Sequence, residues 1–179
     1  MLERSATHIS EYHPILIPGP LQTAGYAQAL VTARQVGVPK ERIEKIVKIR
    51  IERLPAIVPK RPVLWYVVDE IVATRVIGNE TVMKEQLAHL VSLATAGTIR
   101  FQVIPGDVRM HCGLCSPFRL PTLASGQTVV FMEHTFGGTV FDRPDQVRQM
   151  ATLFGALQAE ALSPSRSIDL VRTTLGGLG

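Results

Sequence analysis

Cysteine, aromatic side chains, long apolar runs and blocks of one charge are all scarce in this chain. Two cysteines in 179 residues exclude a disulfide framework. No apolar stretch approaches the roughly 18 residues of a membrane span. Residues 1–20 carry Glu3 and Glu11 and are interrupted by Pro14, Pro18 and Pro20, which is unlike a secretory signal. A cytoplasmic protein without membrane contact is therefore expected. The formal charge of +4, from 19 basic and 15 acidic residues, is mild and dispersed. It permits an acidic partner without demanding one, so this chain alone is not expected to bind nucleic acid strongly. There is no nucleophile elbow, phosphate loop, dinucleotide fingerprint or paired-histidine metal helix, and there are no internal repeats. No cofactor and no metal are expected, and an enzyme is the less favoured class.

What is present is a globular composition, 46% hydrophobic and 19% charged, suited to one domain over residues 1–179. The organising stretch is Val63 to Pro105. Val63 to Val68 is an unbroken β-branched, aromatic and aliphatic run, and Ile99 to Ile104 alternates as a second strand. Between them Met83, Leu87, Leu90 and Ala94 place one apolar stripe on a helix over Thr81–Ala96, marked by Asn79 as N-cap and Gly97 as C-cap. A continuous apolar strand is usually covered on both faces. Val63–Val68 is thus the expected central strand, and the long connection returns the chain parallel to itself.

The rest of the chain frames this core. Residues 1–20 read as an extended or irregular lead-in. Thr23 caps a helix expected to run to Val36, and Lys40–Leu54 forms a second, with Glu41/Lys45 and Glu44/Lys48 as i,i+4 pairs. Pro55, Pro59 and Pro62 then predict an extended passage into the central strand. Pro117–Leu123 and Thr128–His134 make a hairpin around Ala124-Ser125-Gly126-Gln127, followed by a short strand over Thr139–Phe141. A long helix starts at Asp142 and Pro144, a last one at Ser163-Pro164, and the tail from Gly176 should fray. The expected fold is mixed α/β: a small sheet with a strand-helix-strand crossover and a hairpin over residues 63–141. Two N-terminal helices in residues 1–62 and two C-terminal helices in residues 142–179 flank it.

Two groups of residues are candidates for chemistry. His111-Cys112-Gly113-Leu114-Cys115 has the Cys-x-x-Cys spacing of redox and zinc sites, but a structural zinc needs four ligands and these are the only cysteines. A plain loop is the favoured reading. Asp69-Glu70 ends the central strand, where ligands gather in α/β sheets. If the neighbouring strand is parallel, Glu70, His111 and Glu133 converge as an acid, an imidazole and a base. The alternative is that Glu70 caps a turn and Glu133 is an exposed strand end.

The order Pro18-Gly19-Pro20-Leu21-Gln22-Thr23-Ala24-Gly25-Tyr26-Ala27, Val67-Val68-Asp69-Glu70, Gly78, Met83-Lys84-Glu85-Gln86-Leu87, Val103-Ile104-Pro105, His111, Phe118, Glu133 and Ala161-Leu162-Ser163-Pro164 resembles a large family. It is the domain of unknown function found behind the helix-turn-helix of Xre-type, Scr antitoxin-like bacterial transcriptional regulators. The resemblance spans nearly the whole chain from Leu2. The second proline of Pro18-Gly19-Pro20 and Arg53-Leu54 depart from the family pattern at a loop and a helix end. In the family a DNA-binding half precedes this domain, and this chain is expected to lack it.

The resemblance implies a signal-receiving, partner-binding regulatory domain, whose partner is a small protein encoded next to such regulators. Self-association as a homodimer is the other expected assembly. Trp65 and Tyr66 on the central strand, and Met150, Phe154, Leu157 and Leu170 on the final helices, are the candidate ligand or partner contacts. A different class of function is a stand-alone binder, or an enzyme of cyclase or isomerase type, acting on a small apolar metabolite; in that case Glu70, His111 and Glu133 carry the chemistry.

Overall fold

The structure, a computed structural model, describes residues 2–34, 37–134 and 137–179. The strands are β1 (Ala6–His13), β2 (Val63–Asp69), β3 (Arg100–Ile104), β4 (Phe118–Leu123), β5 (Val130–His134) and β6 (Gly137–Phe141), joined in one sheet of order β3-β2-β1-β4-β5-β6. The helices are α1 (Ala24–Arg34), α2 (Lys40–Ile51), α3 (Arg53–Ile57), α4 (Ile71–Thr74), α5 (Glu80–Thr95), α6 (Pro144–Glu160) and α7 (Pro164–Gly177). The fold is mixed α/β. Strands β1, β2 and β3 run parallel through two helical crossovers, whereas β4, β5 and β6 are antiparallel.

The strand-helix-strand unit forms as its signals dictate. Asn79 caps α5 by accepting the Val82 amide at 3.0 Å, and Gly97 turns the chain out at φ +70°, a conformation that favours glycine. Ser163 accepts the Arg166 amide to start α7. In the hairpin, Gly126 at φ +84° lets Leu123 bond to Gln127 at 2.8 Å.

The lead-in is where expectation and structure part. Residues 6–13 form β1, paired with β2 in parallel and with β4 antiparallel, in the middle of the sheet. Its sequence reads as polar because it buries Glu11, 2% exposed, against a cation that arrives 108 residues later. The expected extended passage after Leu54 is instead α3. Pro55 cannot donate to Ile51 and so ends α2, yet it fits the first turn of a new helix, where no N–H partner is needed. The ion pairs on α2 are Lys40–Glu44 at 3.8 Å and Lys48–Glu52 at 3.9 Å, and not the expected Glu41/Lys45 and Glu44/Lys48. All are solvent-exposed and worth little to stability. Val36, the expected end of the first helix, lies outside the described residues.

The two faces of the sheet are covered differently. On one, Ile9, Leu64, Tyr66, Val68 and Phe101 pack against Tyr26, Leu54, Met83, Leu87, Leu90, Ile168 and Val171 from α1, α3, α5 and α7. On the other, Tyr12, Val67, Phe118, Leu120 and Val130 pack against Phe154 and Leu157 of α6. Helix α7 is no loose appendage, because Ile168 and Val171 are buried and Ser167 Oγ accepts the Val103 amide at 2.9 Å, covering the β3 edge. The helix runs to Gly177, and Lys84 donates to the Gly179 carbonyl, so the glycine tail is tied down. Among the described residues no helix is long and apolar enough to cross a membrane.

Candidate functional site

Alternation along a strand sends neighbouring side chains to opposite faces, and at the β1–β4 pair this separates chemistry from packing. Glu11 pairs with Arg119, and Tyr12 pairs with Phe118. Tyr12 and Phe118 go under α6, with ring centroids 5.9 Å apart. Glu11 and Arg119 go to the face of α1–α3, where Arg119 Nε donates to Glu11 at 2.8 Å, Nη1 to Glu3 at 2.9 Å and Nη2 to Glu133 at 3.3 Å. Arg53 on α3 donates to both oxygens of Glu3. Burial pushes the Glu11 carboxyl above its ordinary range despite Arg119; burial also opposes the charge on Arg119, but the surrounding carboxylates outweigh it and hold that guanidinium firmly protonated. The network joins the 3-10 turn Leu2–Ser5, β1, α3, β4 and β5 in one charge cluster.

Beyond this network the helices stop covering the sheet. On the α1–α3 side β5 and β6 become progressively exposed, and a cleft opens between them and α1–α2. A chamber of about 880 Å³ is lined by Leu30, Val31 and Arg34 of α1, Ile46 and Arg50 of α2, Arg53, Arg119, Phe131 and Glu133, among others. A second of about 320 Å³ runs toward His13, Ile17 and Gln22 and shares Leu16, Arg34, Arg50, Arg53, Arg119, Glu133 and His134 with the first. Such volumes suit a small-molecule ligand. Phe131 forms a wall: the Arg119 guanidinium lies 5.3 Å from its ring centroid, and its ring lies against Gly138, where an added Cβ would fall 2.0 Å from a ring carbon.

Two groups in the cleft have unusual surroundings. His13 Nδ1 accepts the Leu16 amide at 3.1 Å, and burial lowers its pKa to about 4. The ring is therefore neutral at physiological pH, and with Nδ1 used as acceptor its proton sits on Nε2. Arg50 donates to Gln22 Oε1 at 3.0 Å, and among the described residues no carboxylate lies within ion-pair distance of it. Burial lowers its pKa as well. The sequence alone does not single out Arg50, His13 or Phe131. The one available signal is Arg119, a charge between the apolar strand residues Phe118 and Leu120, which demands a buried acid.

The three residues expected to converge have separate partners. Glu70 Oε2 accepts the Gly106 amide at 2.7 Å, clamping the start of the loop after β3. Glu133 belongs to the Arg119 network. His111 lies with Asp69 on the α6 face, its Nε2 3.8 Å from Asp69 Oδ2 and its Nδ1 accepting the Gly113 amide. There the Tyr12 hydroxyl faces two acceptors, Gly113 O at 2.6 Å and Asp69 Oδ1 at 3.0 Å. Burial raises both the Tyr12 phenol and the Asp69 carboxyl. Gly113 is obligatory: a Cβ would sit 2.4 Å from the Tyr12 oxygen and 2.6 Å from Leu157. The arrangement anchors the loop over α6. Cys112 and Cys115 are free and exposed on that loop.

The expected contact residues are mostly occupied by their own chain. Tyr66, Phe154 and Leu157 are buried, and Trp65 donates its indole proton to Gln102 at 2.7 Å. Met150 and Leu170 are half-buried against the two cores. No curated protein and no solved structure matches this chain. The model of a domain of unknown function, DUF5753, matches residues 1–173, and on that span the chain belongs to this family.

Proposed function

We propose that this chain is the signal-receiving domain of an antitoxin-like transcriptional regulator of Xre type, and that its signal is a small molecule held in the cleft between α1–α2 and β4–β6. The observation that carries the reading is the joined pair of chambers, about 880 Å³ and 320 Å³, formed where the helical layer ends over the sheet. The resemblance to the domain behind a helix-turn-helix supports the regulatory half of the proposal. A ligand that bridges α1–α2 to β5–β6 makes contacts that depend on their separation, which is what a binding event needs to bias one conformation over another. The catalytic alternative requires Glu70, His111 and Glu133 to act together, and their separate hydrogen bonds give it no support.

The test is a thermal-shift screen of the chain against small molecules of mixed charge and polarity, with light scattering of the chain co-expressed with the small protein encoded beside it. A saturable ligand lost on blocking the cleft with Ala33→Trp is the expected result. A chain that ignores every small molecule and forms a stoichiometric complex with the neighbouring protein would replace this reading with one of protein-partner recognition.

A further inference from the structure

The cleft's charged lining is unevenly satisfied. Arg53 and Arg119 are held by Glu3, Glu11 and Glu133, so their charges shape the field but their donors are largely used. Arg50 differs. It stands where the two chambers meet, half-buried, with a neutral amide oxygen as its partner. Glu133 acts on it only from beyond ion-pair distance. A guanidinium brought out of bulk water without a counter-charge in contact is a standing electrostatic cost, and its planar fork suits two oxygens of one anion. Across the larger chamber the wall is apolar and aromatic, with Leu30, Val31, Ile46 and the Phe131 ring.

Resting on the reading of the cleft as a ligand site, we infer that it takes an oxyanion, carboxylate or phosphate, carried on an aromatic or apolar body. The anion sits on Arg50 and the body lies against Phe131. In the smaller chamber the neutral His13, protonated on Nε2, is an uncharged donor, beside the second imidazole, His134, that lines both chambers. The negative Glu133 at the cleft is tied to Arg119 at 3.3 Å, which limits its repulsion of an incoming anion.

The test uses one aromatic body with three heads: 1-naphthaleneacetate, 1-naphthyl phosphate and the neutral 1-naphthaleneethanol, titrated by calorimetry into the whole chain. At least one anion should bind tenfold or more tighter than the alcohol; whichever anion binds better assigns the head as carboxylate or phosphate. Arg50→Met, which keeps the aliphatic stem, should weaken the anion at least tenfold and leave the alcohol unchanged; Arg50→Gln serves if the methionine variant does not fold. Phe131→Leu should weaken all three. Equal binding of anion and alcohol, indifference to Arg50→Met, or binding of none of the three overturns the inference. Equal binding leaves the cleft as a ligand site without anion selectivity, and indifference to Arg50→Met takes the anion off Arg50; a failure of the broader screen as well removes the parent reading.

Discussion

The two faces of the β1–β4 pair are built from adjacent residues and have opposite character. Under α6, Tyr12 and Phe118 meet Phe154 and Leu157 in a buried, largely aromatic core, with Phe118 and Phe154 edge to face at 6.5 Å. On the reverse face, one residue along each strand, Glu11 and Arg119 begin a charge network that ends in an open cleft. The closed face is fixed by volume, and the open face is fixed by charge pairing. The second leaves a side chain, Arg50, with a neutral amide as its hydrogen-bond partner and, among the described residues, no carboxylate within ion-pair distance. The lesson is that a strand pair can commit one face wholly to stability and so free the other for recognition.

Breaking the charge pairing should have the largest effect. Arg119→Met leaves Glu3 and Glu11 buried without their shared cation, and removing one partner from a buried pair costs roughly 3–5 kcal/mol. Urea unfolding measures this, and Glu11→Gln in the same chain should recover part of the loss. An Arg119→Met chain as stable as the parent would mean that the open face is not held by charge.

The pH dependence sharpens the comparison at a second site. The unfolded His13 ring takes up its proton near 6.5, the folded ring only near 4. Between those values the unfolded chain binds more protons, so stability is full above about pH 6.5 and falls as pH drops toward 4, by on the order of 2–3 kcal/mol. Glu11, raised by burial, acts in the opposite sense over the adjoining carboxylate range. The difference between the chain and a His13→Gln variant isolates His13, and the variant should lose less stability across that window.

The smallest of these effects belongs to the closed face. Tyr12→Phe removes a hydroxyl that satisfies Gly113 O, at a cost of about 1–2 kcal/mol. It should raise hydrogen exchange in the loop over residues 106–116 while leaving cleft binding intact. A loss of ligand affinity in this variant would join the two faces functionally.

Much of the frame is legible locally. Asn79 and Gly97 mark α5, Ser163-Pro164 marks α7, and the alternation around Ala124-Ser125-Gly126-Gln127 marks the hairpin, because each signal and its consequence lie within a few residues. Strand β1 is not legible in the same way. Its register is set by β2 and β4, far along the chain, and Glu11 reads as a surface acid until Arg119 is beside it. The cleft shares this difficulty. Arg50 lies among the alternating charges of α2 and reads as part of a solvated face, and only the fold sets it opposite Phe131. Glu70 follows β2 and Glu133 lies in β5, whereas His111 lies in the loop between β3 and β4; alternation puts Glu133 on the face opposite Asp69, the residue that His111 stands beside.

The most direct test of the central claim, that the open arginine-lined face is the binding face, is hydrogen–deuterium exchange with and without saturating 1-naphthaleneacetate. Protection should appear in α2 around Arg50 and in β5 and β6, with α6 and the loop over residues 106–116 unchanged. Protection confined to α6 and that loop, or no protection in the cleft, would contradict the account.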